Sequence, residues 1–344
     1  MSNTSPSALI LGATGGIGGA VAQRLLADGW KVKALHRNAA AQAQAGSQAG
    51  RMDWIQGDAM QRDDVVAAAQ GVSLIVHAVN PPGYRNWGAL VLPMIDNSIA
   101  AARASGARIL LPGTVYNYGP DAFPSLAVDA VQRPLTRKGA IRVELERRLE
   151  LASRDGVRSL IVRAGDFFGP GTANNWFSQG LIKPGKRIGS VRNPGQRGVG
   201  HQWAYLPDVA ETMCRLVAME QRLADFARFH MDGHWDADGA QMTAAIARVA
   251  GAASGRKVAI KPFQWWLMKA LAPFVPTLYE LQEMRYLWRQ PLRMDNRRLL
   301  QTLGAEPHTP LDAAVRATLA GLGCLPQAGP IPKTTETAET AETI

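Results

Sequence analysis

Residues 9–26 read Leu-Ile-Leu-Gly-Ala-Thr-Gly-Gly-Ile-Gly-Gly-Ala-Val-Ala-Gln-Arg-Leu-Leu, and five of the eight positions from 12 to 19 are glycine. An apolar run, Ala8 to Leu11, stands directly before them, and a helix-period pattern, Ile17 to Asp28, begins among them. A backbone sheds its side chains where it must turn through unusual conformations or where another group must come very close. Gly12, Gly15 and Gly18 form G-x-x-G-x-x-G at this strand-to-helix junction. In that context one glycine makes the tight turn, another lets backbone N–H groups approach a pyrophosphate, and the third lets helix and strand pack closely. The helix amino terminus then faces the anion, so the turn is suited to a dinucleotide.

The same alternation continues. Ala8–Leu11, Val32–Leu35, Leu74–Val76, Ile109–Leu111 and Leu160–Val162 predict strands. Ile17–Asp28, Gln61–Gln70, Leu90–Ser105 and Lys138–Ser153 predict helices, the last with Ile141, Leu145, Leu149 and Ala152 on one face. Strands separated by helices need crossover connections, which gives an α/β fold, a Rossmann-type doubly wound parallel sheet with ligands at the carboxyl ends of its strands. Past about residue 170 the pattern gives way to Gly, Pro and Trp, which marks a smaller C-terminal substrate lobe. The predicted organisation is a nucleotide-binding domain over 1–170, with a return segment at about 200–222 that holds a helix from Asp208 to Gln221. The substrate lobe mainly spans 171–325, and a tail over 326–344, with its Thr-Glu-Thr-Ala repetition, is expected to be disordered. Trp265 to Arg298 predicts helix broken at Pro273 and Pro276, covering a pocket rather than lying on a membrane surface.

Several function classes are excluded. No run of 18 apolar residues and no signal-type amino terminus occurs, so a cytoplasmic protein without a membrane partner is expected. The net charge of +10 raises nucleic acid as a partner, but the basic residues of 133–148 and 285–298 alternate with Leu, Glu or Asp, and none is expected. A cation-lined cleft for a phosphorylated ligand would use some of that charge. Cys214 and Cys324 have no neighbours at metal-ligand spacing, so neither a metal site nor a disulfide is expected. No nucleophile elbow, zinc-protease motif or P-loop appears.

The choice of dinucleotide turns on the end of the second strand, where a carboxylate would hold a ribose 2′-hydroxyl and a cation a 2′-phosphate. The chain there reads Lys33-Ala34-Leu35-His36-Arg37-Asn38, with no carboxylate and with Arg37 about 20 residues past the glycines. NADP is therefore expected over NAD.

At this point the sequence resembles the extended short-chain dehydrogenases/reductases, the NAD-dependent epimerase/dehydratase family, over most of residues 7–215 and more weakly to about 322. The resemblance is carried by Gly-Ala-Thr-Gly-Gly-Ile-Gly at 12–18, Gly57-Asp58, His77-Ala78, Thr114-Val115-Tyr116-Asn117-Tyr118-Gly119, Lys138, Arg163-Ala164-Gly165-Asp166-Phe167-Phe168-Gly169-Pro170 and Tyr205-Leu206-Pro207-Asp208-Val209-Ala210. It implies a third strand before Gly57 and a coenzyme held by Gly12, Thr14, Gly15, Gly16, Ile17, Gly18, Arg37, Asp58, Ala78 and Lys138, with Asp58 at adenine and Lys138 at the nicotinamide ribose. It also implies a homodimer formed through the helices Leu90–Ser105 and Lys138–Ser153.

The family's chemistry uses a Ser or Thr with Tyr-x-x-x-Lys, because the oxygen of the carbon that exchanges hydride must exchange a proton and a nearby ammonium makes tyrosine fit for it. Thr114 and Lys138 match, but the tyrosine position is Pro134. Tyr116 and Tyr118 are candidate replacements at a strand end, as is Tyr84 in the Asn80-Pro81-Pro82-Gly83-Tyr84 loop; each could equally be a packing residue. His201 is a candidate acid. Asn80, Tyr84, Asp166, Asn175, Trp176 and His201 are the expected substrate contacts. Asp166 stands where nucleotide-sugar enzymes of the family commonly carry Asn, and its charge, unless paired, would repel a diphosphate. The expectation is an NADP-dependent oxidoreductase of a small, partly apolar carbonyl compound or alcohol, the alternatives being a sugar epimerase or dehydratase and a non-catalytic NADPH-binding regulator.

Overall fold

The structure, a computed structural model, describes residues 5–45, 51–81, 87–172, 175–271 and 283–325. Tyr84, the proline breaks at 273 and 276 and the tail over 326–344 lie outside the described residues.

The strands are β1 (Ser7–Leu11), β2 (Lys31–His36), β3 (Asp53–Gln56), β4 (Leu74–His77), β5 (Arg108–Gly113), β6 (Ser125–Leu126), β7 (Ser159–Arg163), β8 (Asp166–Phe168), β9 (Ser190–Asn193), β10 (His201–Tyr205), β11 (Phe226–His230) and β12 (His234–Asp236). Seven of them form a parallel sheet in the order β11-β7-β5-β4-β1-β2-β3. The chain adds strands outward from β1 to β3 and then restarts on the other side of β1 with β4. Connections therefore leave β1 and β4 in opposite directions, and a crevice opens between them at their carboxyl ends.

Strand periodicity sorts the core into two layers. Ala8, Ile10, Val76 and Leu110 face one side of the sheet, where α1 (Gly16–Ala27) contributes Val21 and Leu25 and a helix over Leu206–Ala218 contributes Val209 and Met213. Leu9, Leu11, Ile75 and Ile109 face the other side, against Val65, Val91 and Ile95, and Leu145 and Leu149, from helices over Arg62–Ala68, Trp87–Ser105 and Arg137–Ser153. With a short helix at Ala39–Gln44 these are α2 (Ala39–Gln44), α3 (Arg62–Ala68), α4 (Trp87–Ser105), α5 (Arg137–Ser153) and α6 (Leu206–Ala218). Because β1, β4, β5 and β7 are covered on both faces, they read as apolar runs in the sequence. Edge strand β3, Asp-Trp-Ile-Gln, is half exposed and has no such run. Strand β11 extends the sheet beyond the predicted return helix.

A second, smaller core lies beyond the sheet, around the strands β12-β10-β8 and α7 (Gln241–Ser254). Phe168, Phe177, Trp203 and Trp288 are buried within it, so most of the aromatic wealth of this lobe is core. Among the described residues of the predicted helix Trp265–Arg298, Trp265–Leu271 forms α8, residues 284–288 form a 3-10 turn, Arg293–Met294 a short strand, and a further helix begins only at Arg297. Pro291 lacks the N–H that a helix through this stretch would require. Cys214 and Cys324 are buried and unpaired, and burial pushes the Cys214 thiol up to about 12.

Two buried histidines make the fold sensitive to acid. Burial, reinforced by Arg142, pushes His77 down to about 3, and burial with Arg163 pushes His230 down to about 3. An unfolded histidine titrates near 6.5, so the unfolded chain takes up protons that the folded one refuses, and stability falls as the pH drops below that value. At pH 5 each histidine costs about 2 kcal/mol. Urea unfolding is expected to give a smaller free energy at pH 5 than at pH 7, with His77→Asn recovering about 2 kcal/mol of the difference; an unchanged difference in the variant would contradict this.

Candidate functional site

A cavity of about 840 Å³ crosses the carboxyl ends of β1, β2, β3, β4, β5 and β7. Its floor is the glycine turn. Gly12, with φ 95°, occupies the left-handed region, and a Cβ there would lie 2.7 Å from the Ala78 carbonyl oxygen. A Cβ on Gly18 would lie 2.2 Å from the Gly12 carbonyl oxygen, so the first turn of α1 rests directly on the loop that leaves β1. Gly15 caps α1 without a side-chain hydrogen bond and the first turn carries no acidic residue, so its leading N–H groups are available to an anion. Gly12, Thr14, Gly15, Gly16 and Ile17 line the cavity, whereas Gly18 lies behind them as the packing contact. These residues fit the pyrophosphate of a dinucleotide.

At one end of the cavity stand Arg37 and Asp58. Gln56 fixes the Arg37 loop by donating from Nε2 to the Arg37 carbonyl at 2.6 Å and accepting from the Ala39 N–H at 3.1 Å. The Asp58 carboxylate accepts from the Met60 N–H at 3.0 Å, and its own N–H donates to Asp64 at 2.8 Å. Ala78 lies on the wall and donates its N–H to the Leu11 carbonyl at 2.9 Å.

Toward the other end the wall carries Thr114, Tyr116, Trp87 and Arg142. Thr114 follows β5 and is held by a closed circuit of polar groups. Its hydroxyl donates to Asn117 Oδ1 at 3.2 Å, Asn117 Nδ2 to Gln132 at 3.0 Å, and Gln132 Nε2 to Glu146 at 2.7 Å. Arg163 donates through Nη2 to both Glu146 oxygens at 2.9 Å and through Nη1 to the Thr114 carbonyl, while its Nε donates to His230 at 3.2 Å. The Arg163 and Glu146 side chains are 1% and 5% exposed. Removing one partner of such a buried pair typically costs about 3–5 kcal/mol, so the circuit fixes Thr114 firmly.

Lys138 is buried outside the cavity wall, its Nζ 5.8 Å from the Trp87 ring centroid. Arg142, one helical turn further on, is the α5 cation that reaches the wall, its guanidinium carbon 5.1 Å from the same ring centroid. The signal for it was present as a second cation four residues after Lys138, on the same helix face. Pro134 is not on the wall. Tyr118 is fully buried elsewhere, beneath the Arg163 guanidinium and edge-on to His230, with its hydroxyl unpartnered among the described residues; it is a packing residue.

The substrate end is lined by Asn80, Asp166, Asn175, Trp176, Phe263 and Met268. Asn175 is engaged locally, accepting from the Ser178 N–H at 2.9 Å. His201 stands off the main cavity, behind Asp166, with Nε2 2.8 Å from Asp166 Oδ2 and its ring stacked 3.8 Å from that of Trp288. The pair was missed as a pair because 35 residues separate its members; pairing between β8 and β10 brings them together.

Residues 12–167 match the protein-family model described as NAD(P)H-binding. No curated protein sequence matches the chain. Among solved structures it is similar to UDP-glucose 4-epimerase from Thermotoga maritima, at a TM-score of 0.69 and 14% identity, covering 92% of this chain and 98% of that one. UDP-glucuronic acid 4-epimerase from Bacillus cereus, in complex with NAD, gives 0.68 and 16%, covering 92% and 96%. A nucleoside-diphosphate-sugar epimerase from Pseudomonas aeruginosa gives 0.67 and 17%, covering 92% and 97%. Residues 12–167 thus match an NAD(P)H-binding domain, and the chain has the Rossmann-type fold that these epimerases have.

Proposed function

We propose that this protein is an NADPH-dependent oxidoreductase that reduces a small, partly apolar aldehyde or ketone, or oxidises the matching alcohol. The observation that carries this reading is one continuous cavity. It runs from Arg37 at one end, over the glycine-lined amino end of α1, to Thr114 and on to a wall of Trp176, Phe263 and Met268. The glycine turn and the first N–H groups of α1 would hold the pyrophosphate. Arg37, with no carboxylate at the end of β2, favours a 2′-phosphate. A nicotinamide coenzyme held there would supply or accept hydride. There the Thr114 hydroxyl, held in place by the Arg163–Glu146 circuit, would turn its proton from Asn117 to the substrate oxygen, and Arg142 would supply positive charge beside it. The apolar wall suits the rest of a small carbonyl compound.

A sugar epimerase is the second reading, favoured by the likeness in fold to three enzymes of that kind. Against it stands the proline at the position expected for tyrosine; the Asp166 side chain on the wall is paired with His201.

Two outcomes follow. NADPH is expected to bind more tightly than NADH, and Arg37→Ala should weaken NADPH by about tenfold while leaving NADH within about twofold, as read from the quenching of protein fluorescence; equal losses for both would exclude Arg37 from the 2′-phosphate. Mixed with small aldehydes and ketones, the protein should consume NADPH stoichiometrically with alcohol formed. Conversion of a nucleoside-diphosphate sugar with no net loss of coenzyme would instead establish the epimerase.

A further inference from the structure

We propose that Asp166, recharged by His201, is the proton donor and acceptor that takes the place of the missing tyrosine; this rests on the oxidoreductase function proposed above. Asp166 lies on the wall of the main cavity, on the segment that follows β7, while Thr114 follows the neighbouring strand β5. Its side chain is 17% exposed, so the carboxyl group reaches the cavity without standing in open solvent. Behind it, His201 Nε2 sits 2.8 Å from Oδ2. The imidazole is clamped in plane by Trp288, 3.8 Å away at an interplanar angle of 4°, and edge-on by Trp203 at 5.0 Å. Two titratable groups in hydrogen-bond contact, one facing the substrate and one behind it, form a two-step proton path.

The path continues past the pair. A second cavity of about 20 Å³ has Asp166, His201 and Gln202 as its polar side chains, with Val115, Leu287 and Leu292 among the apolar ones. That is room for one water molecule, and Asp166 borders both cavities. The residue thus stands between the substrate and a place from which a proton can be resupplied.

In the reductive direction the carbonyl π bond breaks. Its carbon gains the hydride of the reduced coenzyme as a new C–H bond, and its oxygen gains the proton of the Asp166 carboxyl group as a new O–H bond. The products are the alcohol, the oxidised coenzyme and the Asp166 carboxylate. His201, as imidazolium, then passes its Nε2 proton to Asp166 and regains one from solvent, so that one solvent proton is consumed per turnover. Oxidation of the alcohol runs the same steps backward.

The test uses the intact chain and three readouts. First, in the coenzyme-free protein the His201 Nε2 proton should give a downfield, slowly exchanging NMR resonance that disappears in Asp166→Asn. Second, the affinity of both variants for NADPH should stay within about twofold of wild type. Third, Asp166→Asn should lower kcat by about 100-fold or more at little-changed KM. His201→Gln keeps an N–H donor for Asp166 but cannot release a proton, so it should lower kcat by about tenfold, whereas a merely structural contact would be rescued by glutamine. Wild-type turnover in Asp166→Asn, or no such resonance in the wild type, would overturn the assignment of Asp166 alone. A wild type that binds NADPH but turns over no carbonyl compound would overturn the proposed function and the donor together.

Discussion

The contact on which the site depends is backbone against backbone. The first turn of α1 sits so close to the loop leaving β1 that a single carbon added at Gly18 would fall 2.2 Å from the Gly12 carbonyl oxygen. That approach sets the helix axis at the crevice between β1 and β4, where the restart of the sheet separates the connections. Without side-chain caps or first-turn carboxylates, the amino end of α1 keeps its N–H groups and its positive dipole end for an external anion. A serine or aspartate at position 15 would satisfy those groups internally and compete with the ligand.

The opposite end of the cavity is organised by charge buried among polar partners. Arg163, at the end of β7, ties Glu146 of α5 to the Thr114 carbonyl, and the chain Gln132–Asn117 returns from Glu146 to the Thr114 hydroxyl. Strand, helix and loop are thereby locked to one threonine. His230 of the outermost strand accepts from the same guanidinium, which requires a neutral imidazole, in keeping with its depressed titration. Rigid support of this kind holds the Thr114 side chain within narrow positional tolerances.

Much of the frame was legible in the sequence because the physics that builds it is local. Strands buried on both faces are continuous apolar runs, and Leu9–Leu11, Ile109–Leu111 and Leu160–Val162 declare themselves. Edge strand β3 is half exposed and β11 interleaves Arg228 and His230 with its apolar residues, so neither gives that signal. The glycine turn was readable because its demand for close approach is met by one residue type. The far side of the site was not readable in the same way. Whether Lys138 or Arg142 reaches the cavity is decided by the rotation of α5 against α4, through packing on Trp87, and both residues obey the same helical spacing. Tyr118 stands only four residues after Thr114, yet the 3-10 turn Val115–Asn117 sends it into a separate apolar cluster with Leu126 and Met284. Asp166 and His201 meet through strand pairing across 35 residues, a tertiary fact with no local trace.

The proposed coenzyme site stands or falls with the bare amino end of α1 as the seat of paired phosphates. Calorimetric titration of the wild-type chain with NADPH tests it most directly. Saturable binding with one coenzyme per chain is expected; no heat of association at millimolar coenzyme would contradict the proposed site.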